Sequence, residues 1–469
     1  AASGGLDVQG LVSQLMTLER QPINKINTQV SSYQNKISSF GTLKGLVSTL
    51  QTSLQTVDAD FQGYTATPSD ASIFSAVASS SAAAGSYTLD VANLARSQSL
   101  VAAGQASSTA AIGDGSSTTI TFDFGTISGG TLTAGVYSGA SFNANGNGAQ
   151  SITIDGTNNT LQGIRDAINN AQIGVSASIV NDGSGTPYRL VLTSEKSGVS
   201  NSLKISTSGG DGTIDALLAH DPAGLPAAQH LNQTSAAQNA NFTLNGIPIT
   251  NASNTVTDVI EGVTLTLNKP TTTQANLSVV RDTAAVKTAV TGFVDSYNAL
   301  VSQLKSRSAF AAPGETNKPA LSGDGTVRLM LDQLRGILGT VTTGGTLKSL
   351  AEVGITTKAD GTLKLDSSKL ESAMTKDFND VTHLFTSATG FSTRLKDWAD
   401  DALAIDGLID TRTKNLNESI KGYNDQISRL EVRMATLKRQ YTKTYSDLNV
   451  MLSNMSGTSS YLTQQLARL

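Results

Sequence analysis

Two apolar series, one at each end of the chain, constrain the fold more than any other feature. Near the N-terminus apolar side chains recur at Ile23, Ile26, Val30, Tyr33 and Ile37, then at Phe40, Leu43, Val47, Leu50, Leu54, Val57 and Phe61. Near the C-terminus they recur at Leu416, Ile420, Tyr423, Ile427, Leu430, Met434, Leu437 and Tyr441, then at Tyr445, Leu448, Leu452 and Met455. Steps of three and four alternate in both, as in a helix that buries one stripe along a partner helix. Each series has one break: a repeated step of three through Phe40 to Leu43, and a repeated step of four through Tyr441 to Tyr445. Such breaks change the winding locally without ending the helix. Each series predicts about 60 Å of helix. The two stripes bury each other only if the ends meet, so the middle is predicted to be an insertion into a helical stem.

That middle has a different character. Residues 73–77 and 86–91 alternate as strands, and 100–150 is Gly, Ser, Thr and Asn with short β-like pieces such as 119–124. Asp114-Gly115, Asn145-Gly146, Asp155-Gly156, Asp182-Gly183 and Asn245-Gly246 are hairpin-type turn pairs, because these residues tolerate positive φ. One helix is expected over 160–171, with Leu161, Ile164, Ala167 and Ile168 on one face, followed by strands at 175–180 and 189–193. The segment 220–230, with Pro222, Gly224 and Pro226, reads as a linker or loop. A second β-run covers 241–244, 247–249, 263–267 and 277–280. Helical spacing returns from Ala284, and further helices fit 326–338 and 367–375, with a hairpin around Asp360-Gly361 between them. The long C-terminal helix is predicted to begin after Asp406-Gly407, and the N-terminal one to cover 6–61 with a break near Gln21-Pro22.

The fold class predicted is α+β multidomain: a helical stem from both chain ends, coiled-coil-like at its termini, carrying inserted mainly-β domains. The predicted division places a terminal leg at 1–40 with 430–469 and a helical stem at 41–64 with 282–429. A β domain follows at 65–100 with 233–281, and a second inserted β-rich domain at 101–232. At 469 residues, about three domains are expected from length alone.

Composition narrows the function. Charged residues make up 15% and aromatics 5%, with 43 glycines, a profile of extracellular surface proteins more than of metabolic enzymes. With no cysteine, disulfides, thiolate metal sites and cysteine nucleophiles are all excluded. Between 45 and 280 there are 15 acidic and 6 basic residues, and no basic stripe with interleaved aromatics occurs, so no nucleic-acid partner is expected. No apolar run reaches the roughly 18 residues of a membrane span. The first thirty residues carry Asp7, Glu19, Arg20 and Lys25 and read as lacking a cleavable leader, so the expectation is retention inside or export by another route.

No catalytic, cofactor-binding or metal residues are predicted. His220, His230 and His383 are the first candidates for acid–base or metal chemistry, but further ligands at fitting spacing are not evident, and they read as solvent-exposed. The Gly-rich turns 208–213 and 181–186 lack the Lys-Ser/Thr ending of a phosphate loop. No nucleophile-elbow context for Gly-x-Ser-x-Gly and no His-Glu-x-x-His occurs, so no enzyme is expected. The candidate functional residues are instead the seam positions Ile23, Ile26, Val30, Tyr33, Ile37, Leu416, Ile420, Tyr423, Ile427, Leu430, Met434, Leu437 and Tyr441. The plainer reading is a bundle core. Leu11, Val12, Leu15 and Leu18 add apolar faces that a two-helix stem leaves over for other chains.

Several stretches also resemble a known family. The run from Gly5 to Pro22, Gly-Leu-Asp-Val-Gln-Gly-Leu-Val-Ser-Gln-Leu-Met-Thr-Leu-Glu-Arg-Gln-Pro, is similar to the N-terminal signature of bacterial flagellar filament cap proteins, also called hook-associated proteins type two. Ser456-Gly-Thr-Ser-Ser-Tyr-Leu-Thr-Gln-Gln-Leu466 resembles their C-terminus, and 322–328 and 354–363 match as well. Residues 161–179 resemble the Ile-Asn repeat of hook and filament-associated proteins. The resemblance spans the chain except about 100–150 and 210–235. It implies an oligomeric, ring-like plate of identical subunits at the distal tip of the flagellum. Its helical legs would help exported flagellin fold and polymerise, and its plate would prevent loss of monomers. Further partners implied are the flagellar type III export apparatus and an export chaperone, and adhesion is a secondary role. A hook–filament junction protein and a surface adhesin binding glycans through the β domains are the alternatives.

Overall fold

The computed structural model describes residues 7–311 and 318–467, so Gly5 and Leu6, which open the N-terminal signature, lie outside the described residues. The chain forms two compact units. One is built from both ends, up to Phe61 and from Thr283; the other runs from Gln62 to Asp282. A helical stem from the two termini with a mainly-β insertion is thus what the chain forms.

In the helical unit, Val8–Glu19 is capped by Asp7, whose carboxylate accepts the Gly10 N–H at 2.9 Å. Arg20 alone separates it from the 40-residue helix Gln21–Asp60, where Pro22 occupies the first turn and costs no hydrogen bond. Gly41 and Gly45 lie within that helix without interrupting it. From Phe40 to Phe61 the stripe is fully buried, in one core with Val286, Val290, Phe293, Tyr297, Leu300 and Leu304 of helix Thr283–Ser308. Each such side chain contributes about 1.5–3 kcal/mol by leaving water, so this half of the N-terminal series holds the unit together. Helices Gly325–Gly339, Ser367–Lys376, Phe378–Thr386 and Phe391–Leu403 complete that core, and Phe61 stacks beside Phe385 with ring centres 5.1 Å apart. Strands Ile355–Thr357 and Leu363–Leu365 pair as the expected small hairpin. The last helix, Leu408–Leu466, is 59 residues long, and only Ile409 and Leu416 of it are buried in this core.

The β unit has two cores. Around the first, a five-stranded antiparallel sheet in the order 64–68, 275–281, 85–93, 240–244, 247–251 faces a three-stranded one made of 255–260, 263–267 and 74–78. Leu89, Val91, Phe242, Leu277 and Val279 of the one meet Phe74, Val256, Val263 and Leu265 of the other. Around the second core, sheets containing 99–102, 175–181, 188–194 and 231–235, and 118–133, 136–144, 150–154 and 202–209, enclose the helix Leu161–Ala171. Leu161, Ile164 and Ile168 are fully buried on its apolar face. The helix is capped by Thr160, which accepts the Gly163 N–H at 3.0 Å.

Three expectations need correction. Of the five Asn/Asp-Gly pairs, Asn245-Gly246 alone forms a two-residue hairpin turn, with φ of 50° and 80° between the paired Leu244 and Ile247, while Asp182-Gly183 lies in the longer hairpin loop between strands 175–181 and 188–194. Asn145-Gly146 instead links two strands that both pair with 118–133. In place of the short β-like pieces expected over 100–150 there is one 16-residue strand, Thr118–Thr133, whose Gly129 and Gly130 take positive φ and whose pairing skips Gly130. The linker reading of 220–230 fails at His220, whose backbone pairs with Ile205 in both directions, at 2.8 and 2.9 Å.

Candidate assembly interface

The two terminal helices run antiparallel along one another, because contacts climb one helix as they descend the other. Tyr33 stacks against Tyr423 with ring centres 5.6 Å apart, Arg20 pairs with Glu431, and the Tyr441 hydroxyl donates to Glu19 at 3.1 Å. That hydrogen bond holds the Tyr441 phenol above its ordinary range, since ionisation would give up the donated proton and set two anions side by side.

The predicted seam residues divide along this pair. Leu416 is buried in the bundle core, with Tyr33 and Ile37 packed at its edge. Ile26, Val30, Ile420 and Tyr423 are half-buried. Ile23 and Met434 are buried together with Val12 and Met16 in a second, smaller apolar cluster, bordered by Ile427, Leu430, Leu437, Tyr441 and Tyr445. The short helix Val8–Glu19 therefore supplies the cover for the far end of the seam, which spacing within Gln21–Asp60 alone does not reveal. Beyond Tyr445 the described residues cover the helix less. Leu448 and Leu452 are each 40% exposed, Met451 and Met455 each 59%. On Val8–Glu19, Leu11 and Leu18 also point outward, at 37% and 63% exposed. Exposed apolar side chains in register on helix faces mark contact surfaces for other chains.

The histidines do not form a site. His220 is fully buried, contrary to its reading as an exposed loop residue. Neither ring nitrogen makes a hydrogen bond of ordinary geometry. Burial pushes the imidazole down to about 4, which Asp221 and the Leu231 backbone only partly offset. His230 and His383 are half-buried. Among the described residues no group of three or more His, Cys, Asp or Glu is placed to hold a metal, and no helix is long and apolar enough to cross a membrane.

The same chain matches three family models: Flagellar hook-associated protein 2 N-terminus over residues 4–98, its C-terminus over 237–457, and the Flagellin hook IN motif over 141–196. The last encloses the helix Leu161–Ala171. It is 35% identical to Flagellar hook-associated protein 2 of Escherichia coli K12, over 98% of this chain and 96% of that one. It is 32% identical to the B-type protein of Pseudomonas aeruginosa, over 99% and 97%. The solved D1-D2-D3 domains of the flagellar cap protein FliD from Escherichia coli superpose with a TM-score of 0.68 at 33% identity, covering 81% of this chain and 99% of that one.

Proposed function

The chain belongs to the flagellar hook-associated protein 2 family, and from that premise we propose that it is a flagellar filament cap. In this reading several copies form a ring-like homo-oligomer at the distal tip of the flagellum, promote folding and polymerisation of flagellin, and prevent its loss as monomer. The protein is secreted through the type III export apparatus with the help of an export chaperone, and it is not an enzyme. The solved relative, named as a cap protein, favours this over a hook–filament junction protein or a surface adhesin. The four-part division into terminal leg, helical stem, β domain and second β-rich domain belongs to the same proposal, and is supported by separate apolar cores.

One observation carries the proposal. The paired terminal helices end in a stretch whose apolar side chains, from Leu448 to Leu466, stay exposed among the described residues. A helix with an uncovered stripe gains stability on packing against further helices, which suits a leg that inserts among subunits of an assembly. Met451→Asp with Met455→Asp tests it in cells lacking their own cap. The variant should fold as the parent does and be exported. It should fail to restore filaments, with flagellin accumulating in the medium. Filaments of parental length would refute the proposal.

A further inference from the structure

The chain contains three Asn-Gly pairs: Asn145-Gly146, Asn147-Gly148 and Asn245-Gly246. Asparagine is among the chemically labile side chains, and a following glycine leaves the backbone nitrogen open to attack the side-chain amide. The three pairs differ in how firmly the asparagine side chain is tied. At Asn245 the side-chain oxygen accepts the Thr88 N–H at 2.8 Å and the Thr88 hydroxyl at 3.3 Å. Its own N–H donates to the Thr88 carbonyl at 2.9 Å. At Asn145, half-buried, Nδ2 donates to the Ser200 carbonyl at 3.1 Å, and Oδ1 accepts the Asn147 N–H at 3.0 Å. Asn147 is exposed, and its side chain makes no hydrogen bond among the described residues. Gly148 has φ of 83°, and Asn147-Gly148 lies outside any strand, so no ladder holds it flat.

We propose that Asn147 is a spontaneous modification site, converting to aspartate and isoaspartate in the folded protein well ahead of Asn145 and Asn245. The Gly148 backbone nitrogen gives its proton to solvent base and attacks Cγ of Asn147. The N–Cγ bond forms, the Cγ–Nδ2 bond breaks, and Nδ2 leaves as ammonia, closing a five-membered imide. Water then opens either imide carbonyl. One opening restores the normal backbone as aspartate; the other inserts the side-chain methylene into the backbone as isoaspartate. Overall one water enters and one ammonia leaves, with no change of oxidation state. Either product sets a new carboxylate at the rim of a hollow of about 390 Å³ that Glu195, Lys196, Gln172 and Phe124 also line. The ties on Asn145 and Asn245 must break before their side chains can turn toward the glycine nitrogen. One ordinary hydrogen bond slows such a step by about tenfold.

The test is incubation of the full chain in mildly alkaline buffer, with tandem mass spectrometry of proteolytic peptides localising each amide-to-acid mass gain over time. Asn147 should gain mass about tenfold faster than either other site, as a mixture of aspartate and isoaspartate. In denaturant, where the ties are gone, the three rates should converge. Asn147→Gln should abolish the early mass gain and leave the slow ones unchanged. Equal rates in the folded protein would overturn the proposal. So would a lead for Asn147 that persists undiminished in denaturant, or an early gain that survives Asn147→Gln.

Discussion

Arg412 donates from both Nε and Nη2 to Oδ2 of Asp324, at 3.1 and 2.8 Å, and the Asp324 side chain is only 1% exposed. Oδ1 of the same carboxylate accepts the Thr326 N–H at 3.0 Å and caps helix Gly325–Gly339. One aspartate thus ties the first turns of the long C-terminal helix to the start of another helix in the bundle. Arg412→Ala leaves that carboxylate buried without its partner and should cost roughly 3 kcal/mol, the low end for breaking a buried pair because the arginine is itself 33% exposed. Asp324→Asn keeps one oxygen for the cap but turns an amide NH2 toward Arg412; because it also removes the buried charge it should cost less than Arg412→Ala, about 2 kcal/mol. Denaturant unfolding followed by the helical circular dichroism signal measures both. Equal losses would show that an unpaired carboxylate at 324 costs no more than a neutral amide facing Arg412.

The β unit enters and leaves on neighbouring strands, with Tyr64 paired to Arg281 and Pro68 to Leu277. A fragment spanning 62–282 therefore keeps its own ends hydrogen-bonded and both of its apolar cores. It should fold alone, with a cooperative melt and a β-type spectrum. A fragment that melts without a transition, or is mainly helical, would contradict this.

His220 makes the stability of that unit depend on pH. Its folded value is pushed down to about 4 by burial, against an unfolded value near 6.5. The unfolded chain therefore takes up the proton first. The stabilisation from keeping the ring neutral is complete above about 6.5, falls as pH drops below that, and is fully lost only below about 4. The total is about 3 kcal/mol. His220→Phe should remove this slope between those limits, as read by urea unfolding of the 62–282 fragment at a series of pH values. Asp221, which pairs with Lys204 at 2.8 Å, stays in both proteins and serves as the internal reference. An unchanged slope would assign acid sensitivity elsewhere.

What was legible in the sequence is what depends on period. The stripes from Ile23 and from Leu416 were readable because a helix repeats its buried face every three or four residues. Asn245-Gly246 was readable because its conformation needs positive φ at both positions. Helices Phe378–Thr386 and Phe391–Leu403 went unread: each is short, and their buried faces make sense only against Phe61 and the rest of the bundle. His220 was misread because Pro222 and Gly224 announce a turn locally, while its pairing with Ile205 is set by the fold. Nor does spacing within the N-terminal series show that the helix from Val8 joins Ile23 of the one from Gln21 in covering Met434.

Leu430 and Leu437 lie one heptad apart on the C-terminal helix, both half-buried against the cluster of Val12, Met16, Ile23 and Met434. This cluster is distinct from the main core, in which Leu416 and Phe40 are buried. Replacing both leucines by aspartate puts charge into an apolar seam at a cost of several kcal/mol. The Leu430→Asp, Leu437→Asp chain should keep the β unit's melt unchanged, while the segment Val8–Glu19 becomes sensitive to limited proteolysis. In cells dependent on this protein for capping, filaments should fail to extend and flagellin should leak unpolymerised. Each readout separates a different step: the melt reports folding, the protease reports seam release, and the medium reports capping. Normal filament length in a variant whose seam is demonstrably open would show that the paired terminal helices are not the part that acts on the filament.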